Sequence, residues 1–140
     1  MFTGIIKDIG EIVSLDTQDG DVCIGVKTKI SLKSTNVGDS ICCSGVCLTV
    51  VDIKKNIFNA ELSSETIKVT SANDWKIGKK LNLELALSIG DHLGGHMVSG
   101  HVDGIASLIS KKLIGGSYKL DFKVRSNLMK YIVNKGSVAL

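Results

Sequence analysis

Apolar and polar residues alternate along Leu81-Asn82-Leu83-Glu84-Leu85-Ala86-Leu87, a period of two that turns one face of a strand inward. Other short runs are rich in β-branched residues and also suit strands: Ile5 to Leu15, Val22 to Lys29, Ser40 to Cys43, Cys47 to Ile53 and Ile57 to Leu62. Breaks between them fall at turn residues. The clearest is Asp16-Thr17-Gln18-Asp19-Gly20-Asp21, where an Asp-Gly pair predicts a hairpin, and Asn56 and Gly78 mark others. Proline is absent, so glycine, Asn and Asp must set the turns. Two segments read as short helices, Ile30 to Asn36 and Ser64 to Val69, the second with Ser63 or Ser64 as its cap. Six strands with brief helices predict an all-β chain, a small antiparallel barrel or sandwich. Closure would remove the edges that so small a sheet could not otherwise protect.

The pattern then starts again. Met1-Phe2-Thr3-Gly4-Ile5-Ile6 returns as Met97-Val98-Ser99-Gly100-His101-Val102, and Val26-Lys27-Thr28 as Phe122-Lys123-Val124 at the same offset of 96. Val37 to Ile41 returns as Val133 to Val138 with one residue inserted. A repeat this long fits a duplicated domain, with a first copy at 1–96 and the start of a second at 97–140. In the second copy a strand is expected over Gly100 to Ser110, a turn at Gly115-Gly116, a strand over Tyr118 to Val124, a helix over Asn127 to Val133, and the beginning of a third strand. Gly90 to Gly100 reads as the connector. The second copy breaks off at Leu140, before any counterpart of Gly45-Val46-Cys47-Leu48-Thr49-Val50, so an incomplete barrel with an open core is expected there.

Hydrophobic content of 44% supplies a packed core. A net charge of +3 with scattered lysines and 4% aromatics argues against a nucleic-acid surface. No run approaches the roughly 20 apolar residues of a membrane span, and Met-Phe-Thr-Gly lacks the basic start of a signal peptide. The expected setting is cytoplasmic, with the four cysteines reduced.

Three clusters offer chemistry. Cys47 and Thr49 are two apart on a predicted strand and share a face, although a free cysteine is usually just a small buried hydrophobe. Ser63-Ser64-Glu65-Thr66, with Thr70 behind, can hold a polyol or the polar edge of a heterocycle, or can be an ordinary capped helix. His92, His96 and His101 lie among glycines and, with Cys42, Cys43 and Cys47, invite a zinc reading. The spacing argues against it. Gly94-Gly95 interrupts the His-x3-His pair, no Cys-x2-Cys knuckle is present, and adjacent Cys42 and Cys43 point to opposite faces.

In order along the chain, Met1 to Ile6, Gly45 to Val50, Glu65-Thr66 with Thr70, Asn82-Leu83-Glu84, and Gly94 to Gly104 resemble the riboflavin synthase family of lumazine-binding proteins. Phe122-Lys123-Val124, Leu128 to Tyr131 and Lys135-Gly136 carry the likeness on, so that it covers essentially all 140 residues. The opening hexapeptide and the two-histidine glycine segment are its specific signals. The resemblance implies a six-stranded Greek-key barrel, present twice per chain. It implies a dismutation of two 6,7-dimethyl-8-ribityllumazine molecules to riboflavin and 5-amino-6-ribitylamino-pyrimidinedione, with no metal and no cofactor. The two molecules would be held face to face by barrels of neighbouring subunits in a homo-oligomer, a trimer at full length or a dimer of first barrels if truncated.

Carried onto this sequence, the resemblance makes Cys47 and His101 the catalytic candidates: His101 for proton transfer, and Cys47 for addition to the ring or proton movement. Gly4, Ile5, Ile6, Leu48, Thr49, Leu62, Ser64, Glu65, Thr66, Gly100, Val102 and Lys135 are the expected substrate contacts. The second-copy counterparts of Cys47-Leu48-Thr49 and Glu65-Thr66 are not in the sequence, which implies a ligand-binding fragment of a longer protein. Non-catalytic carriers of flavin or lumazine share this fold and tend to lose the thiol and the histidine, whereas both stand here.

Overall fold

β3 (Ser40–Cys43) and β4 (Val46–Lys54) are joined by Ser44-Gly45, whose φ angles of 48° and 87° are what a tight two-residue hairpin turn requires. The computed structural model describes residues 1–18 and 21–140. β1 (Asp8–Gln18) and β2 (Asp21–Lys27) pair antiparallel from Glu11–Lys27 to Gln18–Asp21, while the expected Asp19-Gly20 turn lies outside the described residues. β5 (Ile57–Leu62) and β6 (Lys80–Leu85) complete a closed antiparallel barrel in the order β1-β2-β5-β4-β3-β6, the six-stranded architecture expected. Two crossovers, β2 to β3 and β5 to β6, make the connectivity a Greek key rather than a simple meander.

Alternation fills the interior. Ile41 and Cys43 of β3, Val46, Leu48 and Val50 of β4, Phe58, Ala60 and Leu62 of β5, and Leu81 and Leu83 of β6 form one buried cluster with Ile12, Ile24 and Val26. One end is covered by α1 (Ser64–Val69) and a 3-10 helix (Ser71–Asp74), which bring Ile67, Ala72 and Trp75 against the cluster. Ser63 caps α1 by accepting from Thr66 N at 3.2 Å, and Thr70 caps the 3-10 helix by accepting from Ala72 N at 3.1 Å.

The expected helix over Ile30 to Asn36 does not form. Leu32 drops into the core, Thr28 Oγ1 takes the N–H of Ile30 at 3.0 Å, and Asp39 Oδ2 takes that of Asn36 at 2.8 Å. Side chains thus claim the donors, leaving turns and bends. β1 also begins three residues later than expected, because Met1 to Gly4 leave the barrel wall and lie across its outside.

By compactness the chain divides into Met1–Val102 with Ala139–Leu140, and Asp103–Val138. The second unit consists of the hairpin β7 (Ser107–Ile114) and β8 (Ser117–Lys123) with the one-turn helix α2 (Ser126–Met129). The strand expected from Gly100 starts at Ser107, the expected helix ends at Met129, and no third strand follows among the described residues. The sequence repeat is also a repeat of register. Ile12–Val26 and Ser14–Gly25 flank a bulge in β1, and Leu108–Phe122 and Ser110–Asp121 flank its counterpart in β7, each at the offset of 96. Leu108, Leu113, Ile114 and Tyr118 of the hairpin are exposed.

Candidate functional site

Pairing across β6, β3 and β4 sets Glu84 beside Cys42 and Cys42 beside Cys47, in a row on the outer face of the barrel. Their neighbours Leu83, Cys43 and Val46 turn inward. An outward row is normally wet. Here Glu84 and Cys42 are 4% and 6% exposed, because the start of the chain lies over them. The Glu84 carboxylate accepts from Thr3 N at 2.6 Å, Thr3 Oγ1 at 2.5 Å and Gly4 N at 3.0 Å. Three donors on one buried carboxylate meet the condition under which such a group is tolerated.

The same segment makes a two-way backbone pair. Phe2 N donates to Val98 O at 2.7 Å and Val98 N to Phe2 O at 3.0 Å, while His96 N donates to Thr3 O at 2.9 Å. Phe2 is fully buried by this arrangement. Pairing of β4 with β5 stops at Thr49–Glu61, and the Cys47 N–H donates instead to Gly100 O at 3.0 Å. Gly100 holds φ +79°, and a Cβ there would come within 2.8 Å of both Cys47 Cβ and the Phe2 ring. Both conformation and space demand glycine.

Gly100, bonded to Cys47, places His101 one residue beyond the thiol. His101 is exposed, with its N–H donating to Ser99 Oγ at 3.2 Å, and Val102 packs against the core. Cys47 is half-buried and Thr49 exposed, both facing outward as their spacing predicts. Leu48 and Leu62 are buried in the core, so main-chain groups are what these two positions offer to the outside. Beyond Leu62, Ser64 and Glu65 are exposed on the first turn of α1 and Thr66 is half-buried, its hydroxyl 3.0 Å from Ser63 Oγ.

Gly4 is pinned by Glu84, and Ile5 and Ile6 are exposed beyond it; a Cβ at Gly94 would lie 3.4 Å from Ile5 Cδ1. Ile5 therefore lies against Gly94 and Gly95. Lys135 belongs to the second unit, with φ +60° in the turn before Gly136. Among the described residues no group of three or more His, Cys, Asp and Glu side chains could hold an ion.

Burial sets the thiol chemistry. It pushes the Cys42 pKa up, with Glu84 and Cys47 adding to the effect against a Gly45 main-chain hydrogen bond, and it pushes Cys43 up much further. The contact of Glu84 with Thr3 escapes a reading from sequence alone, since the two residues are 81 positions apart. The available signal is the acidic residue on the outward phase of a strand that otherwise alternates cleanly.

A family model described as "Lumazine binding domain" matches residues 3–86. Riboflavin synthase of Brucella abortus (strain 2308) is 39% identical over the whole chain, which spans 72% of that protein. The chain belongs to the riboflavin synthase family. Family members from Bacillus subtilis (strain 168) and Photobacterium leiognathi are 40% and 42% identical over the whole chain, which spans 65% of each. The chain is therefore about two thirds as long as these relatives. Among solved structures, LumP complexed with riboflavin superposes with a TM-score of 0.82 at 25% identity, covering 95% of this chain and 72% of LumP.

Proposed function

We propose that this chain is the lumazine-binding portion of a riboflavin synthase. The full protein would convert two molecules of 6,7-dimethyl-8-ribityllumazine into riboflavin and 5-amino-6-ribitylamino-pyrimidinedione. The observation that supports the reading is the Cys47 N–H to Gly100 O bond, which brings the backbone just before His101 alongside β4, where Cys47 and Thr49 face outward. The identity of about 40% with riboflavin synthases supports the same assignment.

In this reading the substrate lies along the outer edge of β4, between α1 and His101. Thr49, Thr66 and Ser64 hold the polar edge of the pyrimidine and the ribityl chain, Glu65 binds ribityl hydroxyls, and main-chain groups at Leu48, Leu62, Gly100 and Val102 complete the seat. The methyl group on the electron-poor ring is acidic. His101 moves its proton, and Cys47 adds to the ring or assists the transfer. Main-chain groups at Gly4, Ile5 and Ile6 join in holding the pyrimidine edge and the ribityl chain, and Lys135 contacts ligand at a neighbouring site. Holding two substrates in register supplies much of the acceleration by orientation. That requirement implies self-association, a trimer for the full-length protein, working in the cytoplasm.

Riboflavin titrated with the purified chain should lose fluorescence in a saturable manner; emission that stays constant at high protein concentration overturns the reading. The superposition on LumP with bound riboflavin favours a second reading, a carrier that binds without turnover. In a full-length version, Cys47→Ser separates the two readings. It should slow turnover more than it weakens binding, whereas a carrier shows no turnover to lose.

A further inference from the structure

We propose that Cys42 and Cys47 form a reversible oxidation site, closing a disulfide between adjacent strands on reaction with a low-molecular-weight disulfide. Cys42 and Cys47 are direct cross-strand partners, one pair removed from the Ser44-Gly45 turn. Cys43 and Val46, which flank that turn, occupy the hydrogen-bonded position of the ladder. The next pair is then a non-hydrogen-bonded one, as the Cys47 N–H confirms by donating away from β3 to Gly100 O. At such a pair the Cα atoms are about 4.5 Å apart and the side chains lean together. Disulfides span Cα separations of roughly 4.4–6.8 Å, so the bond can close without moving the strands. It would close at the short end of that range, where disulfides are strained and readily reduced again.

Neither remaining cysteine can compete. Cys43 points into the core, fully buried, and Cys23 lies on β2, opposite Glu61 and Asp16. The covering segment decides the order of events. Cys42 is shut under Met1 to Gly4 and its thiol is pushed up by burial, while Cys47 is half-buried and open to a small reagent. Cys47 Sγ, as thiolate, attacks one sulfur of the reagent and breaks its S–S bond, and the leaving thiolate takes up the proton that Cys47 released. Cys42 Sγ then loses its proton and attacks Cys47 Sγ in the mixed disulfide, expelling the second small thiolate, which is protonated in turn. Two protein thiols and one reagent disulfide become one protein disulfide and two small thiols. The two electrons pass to the reagent.

Bond formation does not depend on the proposed function; its consequence does. On that reading, oxidation withdraws the Cys47 thiol from the pocket and the chain loses its flavin quenching until it is reduced.

The test uses the intact wild-type chain and oxidised glutathione. After acid quenching, free thiols are alkylated with iodoacetamide under denaturing conditions, and the protein is then reduced and labelled with N-ethylmaleimide. Fragmentation of the tryptic peptide from Ser34 to Lys54 places each label, since that peptide carries Cys42, Cys43 and Cys47. The expected result is a loss of two mass units on oxidation, with maleimide on Cys42 and Cys47 and acetamide on Cys43 and Cys23. Maleimide on Cys43, glutathione retained on Cys47 without closure, or four acetamide labels overturns the proposal. Flavin quenching measured on the same oxidised sample adds the functional arm. A closed disulfide with unaltered quenching contradicts only the role given to Cys47 in binding.

Discussion

Phe2 and Val98 occupy the same place in the two copies of the repeat, 96 positions apart, and they pair with each other through two reciprocal backbone hydrogen bonds. Pairing of equivalent residues puts a local two-fold at that point. The segments that open the two copies run antiparallel at this isolated bridge. The pair also links the N-terminal segment to the Gly100-His101 step over Cys47, so the thiol's surroundings draw on both copies.

Gly100 is the tightest point of that arrangement. Gly100→Ala should destabilise the fold by about 2 kcal/mol or more, combining backbone strain at positive φ with a clash against Cys47 Cβ and Phe2. Gly78→Ala is the control. Its φ is +87° with nothing within 4 Å, so strain alone, about 1 kcal/mol, applies. Urea midpoints of the two variants check this, and equal shifts would mean that the close approach at Gly100 is not felt.

Glu84→Gln keeps the size of the side chain but sets an amide donor against the N–H and O–H donors of Thr3 and Gly4. The expected cost is about 1–3 kcal/mol. Hydrogen exchange at the Thr3 and Gly4 amides should accelerate well beyond the global change, and uniform acceleration would show that Glu84 does not act on this segment.

Asp8 predicts an acid-side effect. It accepts from Thr28 Oγ1 and from Lys29 N, tying the start of β1 to the end of β2, and these bonds hold its carboxyl below the ordinary value near 3.8. A folded-state pKa lowered in this way stabilises the protein above the ordinary carboxylate value. The contribution is lost as pH falls through the lowered one. The stability gap between wild type and Asp8→Asn should therefore be constant above about pH 5 and shrink below about pH 4. Denaturant titrations at a series of pH values would reveal a gap that grows on acidification if the assignment were wrong.

Much of the barrel was legible in the sequence because its signals are local. β3 and β5 end at Cys43 and Leu62, as expected from the sequence, and the β7–β8 hairpin follows the β1–β2 register at the offset of 96. The Ile30 to Asn36 segment does not form the expected helix because Thr28 Oγ1 and Asp39 Oδ2 accept the main-chain N–H groups of Ile30 and Asn36, a choice made by neighbours rather than by periodicity. Ile5 reads as the first residue of a strand, yet the strand begins at Asp8. The force that lifts Met1 to Gly4 off the wall comes from Glu84, far along the chain. Cys47 and Thr49 sharing an outward face followed from a spacing of two. The meeting of Cys47 with Gly100 did not, since it depends on where β5 stops.

The most direct measurement is backbone hydrogen exchange of the chain with and without saturating riboflavin. Slowed exchange at Ser64 to Thr66 and at Gly100 to Val102, with the β7–β8 hairpin unchanged, is the outcome the account predicts. No slowing at these amides, or protection confined to other segments, would contradict a ligand seat built by β4, α1 and the Gly100-His101 step.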